Sequence, residues 1–356
     1  MIDPRFHAAP RDAHSPRLDG LRVALRQSPG PVSDAASGVA LLRALSRDGF
    51  DRLPFPGAGR TLDRWRALAA VAEHDLSLAK LFEGHTDALA ILAEAGQPAP
   101  ERGQLWGMWA AEPPHARVTF RRDGDHTCAL SGTKAWCSGA RHVDAGLLTA
   151  WSSDGQGPFL AAVALDQPGI RIDASSWRAV GMQASDSVSV AFDAVPARLI
   201  GSERFYLERP GFWQGGIGVA ACWHGGASAL ANALWRNVQA AGDRAGWHRQ
   251  MALGAVDALL SANAALLREA AAWVDANPGT SAQAWALRAR AATDATCERV
   301  LERVAHALGA GPLCLDATVA RMVADLPIFI RQCHAERDLA ALGERAVDVA
   351  EGAWTL

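Results

Sequence analysis

The chain has few of the features that would tie it to a membrane, a nucleic acid or an oxidising compartment. Its six cysteines are scattered at positions 128, 137, 222, 297, 314 and 333 without CxxC spacing, so neither a zinc site nor a disulfide framework is expected, and no metal. Lysine plus arginine (35) nearly balance aspartate plus glutamate (38), for a net charge of −3. With no long basic run, there is no electrostatic case for nucleic acid or an anionic membrane surface. No apolar stretch long enough to approach the roughly 20 residues of a bilayer span is expected. The N-terminus, Met1-Ile2-Asp3-Pro4-Arg5, lacks the apolar region of a signal peptide, and a cytoplasmic protein is the expectation. Tyrosine is almost missing, one residue against 13 tryptophans, and most of those tryptophans read as core and domain-interface packing.

What is present is a chain of 356 residues, 49% hydrophobic, long enough for two or three packed domains. Its one β-rich stretch runs from Leu105 to Gly201. Apolar and β-branched residues alternate there through Val118–Phe120, Leu147–Trp151, Phe159–Leu165 and Val188–Phe192, each run bounded by Gly, Pro, Asp or Ser clusters. Alanine-rich helical text lies on both sides. Helices are expected at 18–26 and 37–49, with two over 62–96. After the β stretch they are expected at 206–238, 249–276, 280–308 and 316–342, where apolar residues recur every three or four positions. The boundaries so drawn are 1–104 (N-terminal helical), 105–205 (central β) and 206–356 (C-terminal helical bundle).

Three motifs in the β stretch carry a family resemblance. Leu130-Ser131-Gly132-Thr133-Lys134-Ala135-Trp136-Cys137-Ser138-Gly139, Val180-Gly181-Met182-Gln183-Ala184-Ser185-Asp186-Ser187 and Phe192-Asp193-Ala194-Val195-Pro196 follow one another. In that order and spacing they resemble the middle domain of the acyl-CoA dehydrogenase superfamily of flavoproteins. The resemblance implies an α+β fold: an N-terminal helical domain, a central β-barrel-like domain and a C-terminal four-helix bundle. It also implies FAD as cofactor, a small-molecule acyl substrate and a homodimer or homotetramer. The electron acceptor is left open.

Residue by residue, the resemblance puts Trp136 and Ser138 beside the flavin ring. Their two-residue spacing on a strand gives both one face. Trp109 and Ala111 fall on the strand that precedes Glu112-Pro113, with Ala111 where the family has a flavin-contacting threonine. Gly309 and Gly311, in the degraded stretch His306-Ala307-Leu308-Gly309-Ala310-Gly311-Pro312, match a backbone segment that meets flavin phosphate. The Arg-x-x-Phe-Gly motif on the adenine side is missing, with Arg236, Arg244 and Arg249 as the available substitutes. Pro114-His115-Ala116-Arg117 stands where Gly-x-Gly-Ser-Asp would help hold a CoA thioester. His85, alone among apolar neighbours, reads as structural.

Dehydrogenation of an acyl thioester needs a carboxylate to remove the α-proton. The family's usual late glutamate is replaced by Cys333. A minority of the family places the glutamate before an arginine at the first C-terminal helix, and Glu208-Arg209 occupies that place; a solvated glutamate at a helix N-terminus is the competing reading. His334 and Asp338, four apart in an expected helix, share a face and form a second candidate base, or else an interhelix network. The leading expectation is FAD-dependent α,β-dehydrogenation with Glu208 as base and Arg209 as its partner. The alternatives are a flavin monooxygenase with His334 near the ring, and a homologue that has lost flavin binding.

Overall fold

The computed structural model describes residues 15–28, 30–347 and 354, so most of the expected N-terminal arm lies outside the described residues. Four helices come first: α1 (Pro16–Gln27), α2 (Ala35–Arg47), α3 (Thr61–His74) and α4 (Leu76–Glu94). Local chemistry sets their ends. Asp34 and Ser37 form a reciprocal capping box at α2. Asp75 stops α3 and starts α4: its Oδ1 accepts the Leu78 N–H at 2.8 Å, and its Oδ2 takes the Val32 N–H at 3.1 Å. One buried carboxylate thus satisfies donors from two segments at a sharp corner.

Seven strands follow: β1 (Trp106–Trp109), β2 (Val118–Arg122), β3 (Thr127–Ser138), β4 (Ala145–Ser152), β5 (Phe159–Ala164), β6 (Ile170–Asp173) and β7 (Ser187–Ile200). Their order is β1-β4-β2-β3-β7-β5, and β5 also pairs with β4. That last pairing closes β4, β2, β3, β7 and β5 into a small barrel without free edges, with β1 and β6 added at its margins. Burial follows: β4 opens Ala-Gly-Leu-Leu-Thr-Ala with all of these residues buried, and only Trp151 and Ser152 at its end are half-buried.

The C-terminal part comprises α5 (Phe205–Glu208), α6 (Gly211–Ala241), α7 (Trp247–Ala276), α8 (Gln283–Leu308), α9 (Ala310–Leu315), α10 (Ala317–Phe329) and α11 (Glu336–Val347). The single helix expected over 316–342 is broken. α10 ends in a 3-10 turn at Ile330–Gln332, and Ala335 takes a left-handed φ of 43° before α11 begins. The break frees the His334 N–H from a helical partner, and the Asp338 carboxylate accepts it at 3.0 Å.

α7 qualifies as a membrane span by length and composition, with a mean hydropathy of 1.3 over 18 residues. This corrects the expectation that no stretch is long and apolar enough: the large apolar residues of α7 are interspersed with alanines and a few charges, and the helix is apolar only on average. In the fold α7 lies along α6 and α8, with Val256, Leu267, Ala270, Ala271 and Val274 buried.

Candidate functional site

The first part of the site is built on β3. Its pairing with β7 slips between Lys134 and Cys137, and Trp136 stands in the slip with φ 57°. A left-handed tryptophan costs roughly 1–2 kcal/mol of backbone energy. It leaves the indole 55% exposed between two buried neighbours, Ala135 and Cys137. The slip is anchored from below by Lys134, whose ammonium is fully buried. Its Nζ donates to Thr149 Oγ1 at 2.6 Å, to the Thr149 carbonyl at 3.1 Å and to Glu112 Oε1 at 3.4 Å. Glu112 also accepts from the Thr149 hydroxyl (2.6 Å) and Trp151 Nε1 (2.9 Å). Burial alone would raise the Glu112 pKa, but these hydrogen bonds and Lys134 hold it below the usual carboxylate range. Burial lowers the Lys134 pKa, and Glu112 partly offsets it.

Ser138 opens a chain of three hydroxyls. Ser185 donates its proton to the Met182 carbonyl at 2.8 Å, so in its 2.9 Å contact with Ser187 it can only accept. Ser187 must donate there, and Ser138 must donate to Ser187 across 2.7 Å. Ser138 therefore has only lone pairs left to offer a further partner. The chain ends at Met182, whose N–H donates to Asp325 Oδ1 at 2.5 Å, while Ser77 donates to Asp325 Oδ2 at 3.4 Å. Asp325 on α10 thereby ties α4 and the barrel together. Burial pushes its pKa up to about 6, against the opposing hydrogen bond from Met182.

The second part is the corner between α10 and α11. Asp338 holds His334 twice, through the backbone N–H and through Nδ1, 3.3 Å from its Oδ1, and leaves the ring 60% exposed. The preceding turn is pinned by Arg290 of α8, which donates to the Gln332 carbonyl at 2.8 Å and to the Gly216 carbonyl of α6 at 3.1 Å. Its guanidinium lies 4.9 Å from the Trp223 ring centroid. Cys333 is buried, and burial raises its thiol pKa.

The third part is a charged stripe on α4. Lys80, Glu83, Asp87 and Glu94 occur at spacings of three, four and seven in a largely apolar helix, which places them on one face. They look towards the N-terminal end of α6. Gly211 and Gly215 make the room: a Cβ at Gly211 would stand 2.5 Å from Glu94 Oε2, and one at Gly215 would stand 3.3 Å from Asp87 Oδ1. Glu94 accepts from Arg209 Nη1 at 2.8 Å, Asp87 lies 3.8 Å from Arg209 Nη2, and Lys80 reaches Glu83 at 3.5 Å. Burial pushes the Glu83 carboxyl above the usual range, and Lys80 only partly opposes it.

Solved structures share this fold. The FMN-bound TdsC of Paenibacillus sp. A11-2 superposes with a TM-score of 0.76 at 19% identity, covering 94% of this chain and 96% of that one. Nitrososynthase of Micromonospora carbonacea var. africana gives 0.77 at 18% identity, over 97% and 99% of the two chains. Methanesulfinate monooxygenase MsuC of Pseudomonas fluorescens gives 0.70 at 21% identity, over 94% and 97%. The chain has the acyl-CoA dehydrogenase fold. No protein-family model and no curated protein matches it.

On this acyl-CoA dehydrogenase fold the residues singled out from the sequence fall in different surroundings. Trp136 and Ser138 share β3, one exposed and one buried. Trp109 is in the core: its ring covers Gly107 and Gly146, where a Cβ would stand 2.5 Å and 2.3 Å from it, and Nε1 donates to the Ser138 carbonyl at 3.2 Å. Ala111 is half-buried next to Glu112. Gly309 closes α8 with φ 66°, and neither it nor Gly311 has an atom within 4 Å of a notional Cβ. Arg249 donates to the Ala307 carbonyl at 3.4 Å, which brings it next to that glycine pair.

Glu208 and Arg209 part company. Glu208 is 62% exposed and accepts from Arg204 Nε at 2.7 Å, whereas Arg209 is buried against Glu94 and the Tyr206 ring. Lys80, Glu83, Asp87, Arg290 and Asp325 were not singled out as site residues from the sequence. For the α4 residues the signal was there, in four charges at helical spacing within an apolar run. Nothing local marks Arg290, because its two acceptors come from distant segments.

Proposed function

We propose that this protein is a flavin-dependent oxidoreductase that oxygenates a small molecule, with FMN rather than FAD as the flavin. The observation that carries the reading is the state of the two places where a dehydrogenase base could stand. Glu208 faces solvent in an ion pair with Arg204, and the other place holds the buried Cys333. Neither offers a carboxylate to a bound acyl thioester. The stripe of charged side chains on α4 would make a poor floor for a hydrocarbon chain, because charges covered by it would lose water without gaining a partner.

The residues present fit a flavin ring. The exposed indole of Trp136, held by the slip in β3, gives an aromatic face, and Ser138 would meet the ring edge beside it. Gly309, Gly311 and Arg249 would receive one phosphate group. The Arg-x-x-Phe-Gly motif for the adenylate half is missing, which favours the mononucleotide. Flavin, when bound, supplies the two-electron chemistry that activates oxygen. His334, oriented by Asp338, is the group that would move a proton to or from the substrate. TdsC is described both with FMN and as a dibenzothiophene monooxygenase, and MsuC as a methanesulfinate monooxygenase, which supports the reading at the level of fold.

The test is oxygen uptake by the purified protein supplied with chemically reduced FMN, followed together with the flavin spectrum. Slowed reoxidation of the flavin, with Glu208→Gln matching the parent, is the expected result. A bound flavin that acyl thioesters bleach anaerobically, and that Glu208→Gln no longer lets them bleach, would restore the dehydrogenase instead.

A further inference from the structure

A cavity of about 400 Å³ opens among the N-terminal helices, between α1, the turn after α2, the turn before α3 and α3 itself. No residue of β3 or of the α10–α11 corner lines it, so it is separate from the surface that fits a flavin. Its volume is within the range of small-molecule sites. The floor is apolar: Leu21, Leu53 and Ala67 are buried there, with Leu18 and Phe50 half-buried beside them. One wall is Phe55, 46% exposed. Pro54 and Pro56 flank it and restrict its backbone. The turn is tied at three points. Arg64 donates to the Pro54 carbonyl at 3.4 Å, the Ala58 N–H to the Phe55 carbonyl at 3.2 Å, and the Gly57 N–H to Thr61 Oγ1 at 2.8 Å. The exposed ring is thus held in place before any ligand arrives, which lowers the ordering cost of binding.

The rim is cationic. Arg17, Arg52 and Arg60 line the cavity against a single acid, Asp63. That acid is taken: Arg60 holds it through Nε at 2.9 Å and Nη2 at 2.7 Å, and Arg66 lies 3.6 Å away. Arg17 and Arg52 each donate to a backbone carbonyl, of Gly49 and of Pro100. The carboxylate next to Arg52 is Asp51, 3.6 Å from its Nε. Asp51 is fully buried, and its other oxygen serves His85 and Ser46. A further guanidinium, Arg102, crowds the same Gly49 peptide, where a Cβ would stand 3.4 Å from its Cζ. Asp19 and Asp48, on the adjoining elements, pair with none of these arginines among the described residues. Arg64, behind the turn, is balanced by Asp87 and Glu83 on α4. Guanidinium forks match a carboxylate or sulfonate, and the concave apolar floor is best covered by an apolar body. We infer that the cavity between α1 and α3 binds a small organic anion with an apolar body. Its acid group would be held by Arg17 and Arg52, and its body by Phe55, Phe50 and Leu21. This second site goes beyond the flavin reading, and its test needs no flavin.

The experiment is isothermal titration of the full-length protein with three probes: octanoate (anion and apolar body), octanol (apolar body alone) and acetate (anion alone). Octanoate is expected to bind at least about tenfold more tightly than either, the effect of one charge-assisted hydrogen bond. Its affinity should be the same with FMN in excess. Arg17→Gln and Arg52→Gln should each weaken octanoate about tenfold and leave octanol unmoved. Phe55→Ser, at an exposed turn position, should fold normally by thermal unfolding and weaken octanoate and octanol together. Equal binding of octanoate and octanol, or of octanoate and acetate, would overturn the assignment. So would displacement of octanoate by FMN, unaltered binding in the arginine variants or in Phe55→Ser, or no binding of any probe.

Discussion

His85 and Asp51 are 34 residues apart in the chain and 3.0 Å apart in the fold, both side chains fully buried. The Trp106 N–H donates to His85 Nδ1 at 3.1 Å, so Nε2 carries the ring proton and gives it to Asp51. Ser46 donates to the same carboxylate oxygen at 2.7 Å. The imidazole thus fastens α4 to β1 and to the turn after α2. Replacing it with leucine leaves the Trp106 N–H without its acceptor and the buried Asp51 carboxylate with only the Ser46 donor on that oxygen. His85→Leu should lower the unfolding free energy by about 2–3 kcal/mol, read from urea denaturation, with the flavin affinity of the surviving folded protein unchanged. A neutral effect on stability would remove the structural role.

Asp325 should make stability depend on pH. Its folded pKa of about 6 lies above the ordinary aspartate value of 3.8, so between those values the folded state binds more protons than the unfolded one. Stability then falls as pH rises from about 4 to 6. In Asp325→Asn the amide oxygen can still accept the Met182 N–H, but the titration is gone. The variant should lose that part of the slope and be more stable than the parent by about 2–3 kcal/mol at pH 7. Parallel pH profiles for parent and variant would show that Asp325 does not titrate in this window.

Much of the architecture was legible because it rests on local pattern. The β alternation, the helix periods and the motif order led to the barrel between helical layers, whereas the caps that set the starts of α2 and α4, Asp34 and Asp75, were not read from the sequence. The failures share a cause: contact between residues far apart in sequence. The break at 330–335 depends on Asp338 and on Arg290 reaching the Gln332 carbonyl. A helical reading of the Cys333–Asp338 text cannot include either. Glu208 and Arg209, adjacent in the chain, separate because one neighbour is Arg204 in solvent and the other is Glu94 across the domain interface.

Trp136 separates stability from ligand binding. Its φ of 57° favours glycine, and its indole is 55% exposed, so removing the side chain forfeits little burial. Relief of left-handed strain and the added freedom of the unfolded chain are of similar size and opposite sign. Trp136→Gly should therefore change stability by less than about 1 kcal/mol while weakening FMN binding by about tenfold. Thermal unfolding and fluorescence titration give the two numbers. Loss of stability without loss of flavin affinity would make Trp136 a packing residue and move the flavin elsewhere.

The direction of the serine chain leads to the sharpest expectation. Ser138 spends its proton on Ser187, because Ser187 spends its own on Ser185, which donates to the Met182 carbonyl. Towards a flavin edge Ser138 can only accept. Oxidised flavin presents an acceptor nitrogen at the centre of its ring system, and reduced flavin presents an N–H there. On the proposed placement, the protein should bind reduced FMN more tightly than oxidised FMN. In Ser187→Ala the Ser138 proton is free to turn outward, and the preference should shrink by about tenfold, one hydrogen bond's worth. The measurement is the pair of dissociation constants for the two redox forms under anaerobic conditions, in parent and variant. An unchanged ratio in Ser187→Ala would separate Ser138 from the flavin edge even if Trp136 remains beneath the ring.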